Sequence, residues 1–359
     1  MKKTKKLLAI SGLFITLSVS AQNYFNHMDL GVNVSSTGVG ADIAMPVGNF
    51  VRMRTGFTYM PKFTFTSNFD VQFLGNISAD KLRRMKNVMQ EFSGQPVQDN
   101  VDAIMKPTWS NFKFLVDVFP FRGNKHWSIT AGFYVGPSRV GEAINDENAI
   151  STLSAVNMYN SMYEKACKDV PMITVEYEDG SMHNFDIPLK SEFVKAGMMG
   201  MPLGYFPNNV DDPNDPDYDP HRFRAVMVPN KNCLAKAEME VSKFRPYVGL
   251  GYNTSLSKNG KWKLAVDAGV MFLGGSPHVY VDNVYRVDSN DDYNFISWDQ
   301  EKFDETGNVN EAWVKQVPQR IDLTRDVTEI PGKVGDMVST VKKFKCWPVL
   351  SITFSHKLF

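Results

Sequence analysis

Apolar and polar residues alternate with a period of two through eight segments of this chain, each close to ten residues long. In the first, Met28, Leu30, Val32 and Val34 share a face, opposite Asp29, Gly31, Asn33 and Ser35. The second sets Val39, Ala41, Ile43 and Met45 against Gly40, Asp42 and Ala44. The third sets Val51, Met53, Phe57 and Tyr59 against Arg52, Arg54, Gly56 and Thr58. Phe112, Phe114, Val116 and Val118 oppose Lys113 and Asp117 in the fourth. Trp127, Ile129, Ala131, Phe133 and Val135 form the apolar side of the fifth. In the sixth, Val248, Leu250 and Tyr252 oppose Arg245, Gly249 and Gly251. The seventh runs from Trp262 to Phe272 and puts Lys263, Asp267 and Gly269 on its polar side. The last is "WPVLSITFSHKLF", where Leu350, Ile352, Phe354 and Leu358 oppose Ser351, Thr353 and Ser355.

Alternation alone fits any half-buried strand, including those of a secreted β-sandwich. Length separates the two readings, since a tilted membrane-crossing strand needs about 9–11 residues and a common soluble strand about 5–6. The polar faces also mix Gly with Asp, Arg and Lys, which suits a narrow barrel interior. The connections agree. On one side lie short turns, "PVGN", "FPFRGNK" and "SLSKNGK"; on the other lie a tight turn at Ser36–Gly38 and three long inserts, about 61–110, 136–243 and 274–343. The pattern therefore predicts an all-β fold: an eight-stranded antiparallel transmembrane β-barrel with long, partly helical extracellular inserts.

The chain opens with "MKKTKKLLAISGLFITLSVSA", a basic start, a short apolar run and small residues at Val19 and Ala21. Residues 1–21 read as a cleavable secretory signal and 22–359 as the barrel with its inserts. A barrel has no free edge only if its last strand pairs with its first, so Trp347–Phe359 must stay ordered to close the ring. With that strand and its C-terminal Phe359, the sequence resembles the small eight-stranded outer-membrane β-barrels of Gram-negative bacteria, the OmpA- and OmpX-like kind, here without a following peptidoglycan-binding domain. The resemblance implies a cell outer membrane location, contact with outer-membrane lipid and lipopolysaccharide, and recognition of the closing strand by the outer-membrane assembly machinery. It departs at the end, where Phe359 falls one step out of phase with the lipid-facing residues and His356 falls on the lipid side.

Inward positions hold Asp29, Asp42, Arg52, Arg54, Lys113, Asp117, Arg245, Lys263 and Asp267. Buried charges have to pair, so an ionic network filling the lumen is expected in place of a channel. Trp127 and Trp262 should mark one aromatic belt, and Phe57, Tyr59, Phe112, Phe133 and Phe272 the other. Formal net charge is zero, which gives no basis for a nucleic-acid partner. The three cysteines, Cys167, Cys233 and Cys346, match no metal spacing; an oxidised Cys167–Cys233 pair with Cys346 free is one arrangement, and no disulfide is the other.

The inserts carry structure signals of their own. "SADKLRRMKNVMQEF" and "DENAISTLSAVNMYNSMYEKACKD" have helical spacing, the second through Ile150, Leu153, Val156, Met158, Tyr159, Met162 and Tyr163. "MITVEYEDGSMHNFDI" predicts a hairpin at Asp179–Gly180, and "HVYVDNVYRV" a second at Asp282–Asn283. Packed together they would cap the barrel mouth. The acidic run Asp211–His221 reads as a solvated loop, with calcium as its other reading, although it lacks the turn glycine and trailing Glu of a calcium loop. Among the six histidines, His27, His126 and His356 fall at the inner end, and His183 and His221 in the inserts; Ser276 and His278 share the outer rim. A nucleophile needs a base and a group orienting it, and nothing else marks an enzyme. No catalytic, cofactor-binding or metal residue is assigned, and no cofactor. The expected role is a non-enzymatic surface protein: the barrel anchors, and the inserts bind an extracellular protein or glycan. A membrane-stabilising barrel, a narrow solute passage and an outer-rim lipid-modifying enzyme are the alternatives.

Overall fold

The computed structural model describes residues 27–73, most of 83–167, 173–185, 196–207, 218–288 and 318–358. Three strands open it: β1 (Asp29–Ser35), β2 (Gly38–Val47) and β3 (Val51–Tyr59). The first insert supplies β4 (Phe65–Asp70), β5 (Gln72–Phe73) and β6 (Asn100–Pro107). The chain returns through β7 (Ser110–Val118) and β8 (Trp127–Val135). The second insert begins with β9 (Arg139–Asn145), helix α1 (Ile150–Cys167) and the hairpin β10 (Ile173–Glu176) and β11 (Met182–Phe185). It continues with β12 (Met199–Tyr205), β13 (Phe223–Met227) and β14 (Lys236–Glu240). After β15 (Phe244–Ser255) and β16 (Trp262–Phe272), the third insert gives β17 (His278–Asp288), β18 (Gln319–Asp322) and helix α2 (Gly332–Lys343). The last strand is β19 (Cys346–Lys357).

Eight of these strands close into a barrel in the order β1-β19-β16-β15-β8-β7-β3-β2. They are the eight segments whose alternation is visible in the sequence. Closure comes from β1 against β19, in register from Asp29↔Lys357 to Ser35↔Ser351. Beyond the strand, the Leu358 amide donates to the Met28 carbonyl. Phe359 and its phase, like the signal segment 1–21, lie outside the described residues.

The outward side chains are those assigned from alternation. Val32, Val34, Leu250, Leu350 and Ile352 are each more than half exposed, an arrangement stable only against hydrocarbon. Aromatic girdles bound this band. At the end where β1 begins and β19 finishes, Trp262 stacks on Phe354 at 4.8 Å and Trp127 meets Tyr252 edge-on at 5.1 Å. At the other end lie Phe57, Tyr59, Phe112, Phe244 and Phe272, all exposed. No described helix is long and apolar enough to cross a membrane; this barrel crosses it with strands.

The lumen is filled in two layers. Below, Arg54 is clamped between Asp267 (2.7 Å) and Asp117 (2.8 Å), and Asp117 also accepts from Arg52 (2.7 Å) and Thr130 (2.7 Å). Lys113 pairs with Asp42 at 2.9 Å, and Lys263 with Asp29 at 2.7 Å. Above these, Tyr134, Tyr247, Met271 and Val349 form an apolar plug with Trp109 and Leu115. Arg245 alone among the predicted inward charges meets no carboxylate. Its guanidinium donates to Asn111 Oδ1 and to the Pro137 and Ser242 carbonyls, and it lies 5.5 Å from the Trp109 ring. Carbonyl dipoles and a ring face solvate it there, which charge pairing alone could not anticipate.

Substituting Arg54→Met should cost about 3–5 kcal/mol, because it leaves Asp267 and Asp117 buried beside a missing cation. Ile352→Arg, in the middle of the apolar band, should cost about 2–4 kcal/mol, whereas Ser351→Ala on the lumen side should cost under about 1 kcal/mol. Urea unfolding in lipid vesicles, followed by tryptophan fluorescence, measures all three.

Candidate functional site

All three long inserts meet in one sheet above the barrel mouth. Its order is β4-β6-β9-β14-β17-β13-β12-β5, with β18 added alongside β17. Alternation makes this sheet two-faced. Across five strands one row reads Phe65, Met105, Ala143, Ala237, Val281, each residue in register with the next. The neighbouring row, Lys106, Glu142, Glu238 and Tyr280, faces the opposite way. The charged face is knitted together at Glu238, which takes Lys236 and Arg139 at 2.7 Å and Arg320 at 2.8 Å. Burial alone would push the Glu238 carboxyl up; Lys236 and Arg139 outweigh it and hold the group below the ordinary carboxylate range.

The apolar row covers a cavity of about 650 Å³. The barrel mouth is its floor, through Trp109 and Trp347, whose rings lie 5.0 Å apart, and through Met60 and Ser36. Helix α1 closes one side with Leu153 and Val156, and α2 another with Val334, Met337, Val338 and Val341. Helix α1 is fastened by Asn160, whose amide makes two 2.8 Å hydrogen bonds with the Met199 backbone, and by Tyr159, whose hydroxyl donates to the Gly197 carbonyl at 2.7 Å. Of the lining residues, Phe63, Phe65 and Met337 are also well exposed, so they mark the opening.

A polar knot holds the wall beside α2. Buried Asp322 accepts from the Thr324 hydroxyl (2.6 Å) and amide (3.0 Å), and its other oxygen meets His278 Nδ1 at 2.6 Å. This ties β18 to β17 and sets Leu323 and Val327 against Val338. Burial tends to raise the Asp322 carboxyl, but the hydrogen bonds from Thr324 and His278 prevail and keep it below the usual range.

Several sequence expectations meet the structure here. Helix α1 and the β10–β11 hairpin form as predicted, the latter with Gly180 at φ +77° in its turn. Of 78–92, residues 83, 84, 86, 87 and 89–91 are helical, and the rest lies outside the described residues. The hairpin expected at Asp282–Asn283 does not exist. His278–Asp288 is one continuous strand, pairing first with β14 and then with β13. Asn283 takes φ +62° as a bulge, and its side chain donates to the Val228 carbonyl at 2.7 Å. Sheet pairing on both sides overrode the local turn signal. Cys233 and Cys346 are free thiols, with Cys233 Sγ 3.8 Å from the Asn157 amide; the Cys167 side chain lies outside the described residues.

Ser276 and His278 do not engage each other: the Ser276 hydroxyl donates to the Lys342 carbonyl at 2.9 Å, while His278 turns to Asp322. His183 packs on Tyr177, and His221 meets Glu329 at 2.9 Å. His27, His126 and His356 lie at the end where β1 begins and β19 finishes, His126 bonding the Asn253 carbonyl at 2.6 Å. Residues 211–217 of the acidic run lie outside the described residues, among which no metal-binding cluster occurs. Sequence reasoning did not find the cavity. Short apolar alternations at Phe65–Phe69, Val101–Met105 and Ala237–Met239 were its only signal.

No family model matches the chain, and no curated protein does. Two solved structures from Acinetobacter baumannii are similar to it, each at 10% identity: CarO2, covering 92% of this chain and 98% of its own with a TM-score of 0.36, and CarO, covering 91% and 96% with a TM-score of 0.34. A superposition that loose defines neither fold nor role. The closed ring and its apolar band, by themselves, make this chain an outer-membrane β-barrel protein.

Because the folded-state pKa of Asp322 is depressed, its contribution to cap stability is complete above the unfolded carboxyl value of about 4 and is lost as pH falls through the lower folded value. Hydrogen-exchange protection factors at 278–281 and 319–327, corrected for the intrinsic slowing of exchange in acid, should therefore fall on acidification in the native chain. In Asp322→Asn they should be lower at neutral pH and lose much of that acid dependence.

Proposed function

We propose that this protein is a surface-exposed binding protein of the outer membrane, in which the barrel is the anchor and the cap is the binding device for an apolar small molecule. The observation that carries this reading is the apolar cavity of about 650 Å³ walled by all three inserts and floored by the barrel mouth. Ligand sites commonly enclose about 300–1,000 Å³ and are mostly apolar. The plug and ion cluster beneath support a closed-bottomed site over a passage, since Tyr134, Tyr247, Met271 and Arg54 occupy the lumen.

Kinship with the small OmpA- and OmpX-like barrels belongs to this proposal, as do lipopolysaccharide around the barrel and the assembly machinery acting on β19. So does a non-enzymatic role: the base–carboxylate pair of His278 with Asp322 serves a structural knot. The charged outer face around Glu238 remains available to a protein or glycan partner.

The full-length protein in detergent should bind a neutral apolar fluorophore, such as a phenyl-naphthylamine, saturably and with blue-shifted emission. The double variant Ala143→Leu/Ala237→Leu, which adds bulk from the inner face of the cap sheet, should weaken that binding at least about tenfold, a loss of about 1.4 kcal/mol. Equal binding by both proteins, or none by either, would remove the reading.

A further inference from the structure

We infer that the cavity opens sideways, above the β1–β2 hairpin, and receives a single fatty-acyl chain with an anionic head from the outer leaflet of the membrane. This rests on the cavity being a binding site, and adds what enters it and by which route.

The opening is positioned by the ring order. Consecutive barrel strands run β3, β2, β1, β19. Phe63 and Phe65, on one side of the opening, follow closely on β3, which ends at Tyr59. Met337, on the other side, belongs to α2, which ends at Lys343 just before β19 begins at Cys346. Between them stands β1–β2, whose outer connection is only Ser36–Thr37 and contributes nothing to the cap. Its Ser35 and Ser36 line the cavity as a sill. Ser36 is strapped to the closing strand: its amide donates to the Leu350 carbonyl at 2.9 Å, and its hydroxyl to the Pro348 carbonyl at 2.8 Å. The gap thus lies at the height of the barrel rim.

The surface below the sill is lipid-facing without interruption. Val34, Val39, Tyr59 and Leu350 are 65%, 43%, 45% and 63% exposed, and Val34–Val39–Tyr59 form one row in register across β1, β2 and β3. An apolar chain leaving the bilayer here would pass from these side chains to Phe63, Phe65 and Met337 and then to the cavity wall, without crossing water. The rim supplies the head-group chemistry. Lys62 adjoins Phe63, and Lys342, Lys343 and Lys345 follow one another at the end of α2, all exposed. Lysines at the level of lipid head groups attract anionic heads, and exposed Phe344 among them adds an apolar anchor. One chain, and not the several of a large lipid, matches a cavity in the size range of small-molecule sites.

The test uses the full-length protein in phosphatidylcholine nanodiscs doped with a fatty acid carrying a diazirine at its chain end. After illumination, peptide mass spectrometry should find adducts on the cavity residues Met105, Met201 and Met239 as well as on the lipid-facing band. The cavity adducts should fall at least about tenfold in Ala143→Leu/Ala237→Leu, while adducts on the band persist. Replacing the four rim lysines with Gln should reduce cavity labelling by the fatty acid but not by a diazirine hydrocarbon without a carboxylate. Adducts confined to the band would overturn lateral entry, as would cavity adducts that form only when the fatty acid is presented from water on albumin. Should the fluorophore of the preceding section still bind saturably in either case, the cavity stands as a site and only its ligand and route are wrong. If the fluorophore also fails to bind, both fall.

Discussion

Inside a bilayer no water is present to satisfy an open strand edge, and this one constraint organises the molecule. It requires β1 and β19, from opposite ends of the described chain, to find each other and pair from Asp29↔Lys357 to Ser35↔Ser351. Once the ring is closed with an even number of strands, the start of β1 and the finish of β19 lie at one end. Every second connection must then emerge at the other. The inserts after β3, β8 and β16 are thereby gathered above one mouth, close enough to share a sheet.

Closure also decides what the interior can be. A ring this narrow leaves room for side chains and little else. Its inward charges are held by fixed partners: Arg54 spans Asp117 and Asp267, and Lys113 meets Asp42. Such pairs add little net stability over apolar packing, but each is costly to break. Placing Tyr134, Tyr247, Met271 and Val349 above them seals the lumen and supplies the floor on which Trp109 and Trp347 rest. The membrane-crossing ring and the cavity under the cap sheet are therefore separate layers of the molecule, and changes in the cap need not disturb the span.

The cap repeats the barrel's logic with the environments exchanged. In the barrel the apolar face meets lipid and the polar face is enclosed; in the cap the apolar row from Met105 to Val281 is turned inward and the charged row meets water. The exposed ion pairs around Glu238 are worth little one by one, yet as a network they hold β9, β14 and β18 in a single register. The buried Asp322 knot does for the third insert what Asn160 does for helix α1, fixing a wall of the cavity through hydrogen bonds that a single apolar contact could not orient.

The sequence by itself determined the barrel: its eight strands, which residue of each faces lipid, which carry the lumen charges and where the long inserts leave. A period of two is a local property, and a strand solvated by hydrocarbon on one side and packed on the other must show it at every step. It also determined α1, because Leu153, Val156, Tyr159 and Tyr163 keep helical spacing. Only the tertiary structure decided that the inserts join. Strands such as β9, β12 and β14 are short and pair with segments far away in the chain, so their partners leave no mark in the local pattern. The same reason explains Asn283, where a turn-forming dipeptide sits in a continuous strand because the residues before it pair with β14 and those after it with β13. The cavity is further still from the sequence: it is the space between faces contributed by three inserts and the barrel mouth, and exists only once the ring has brought them together.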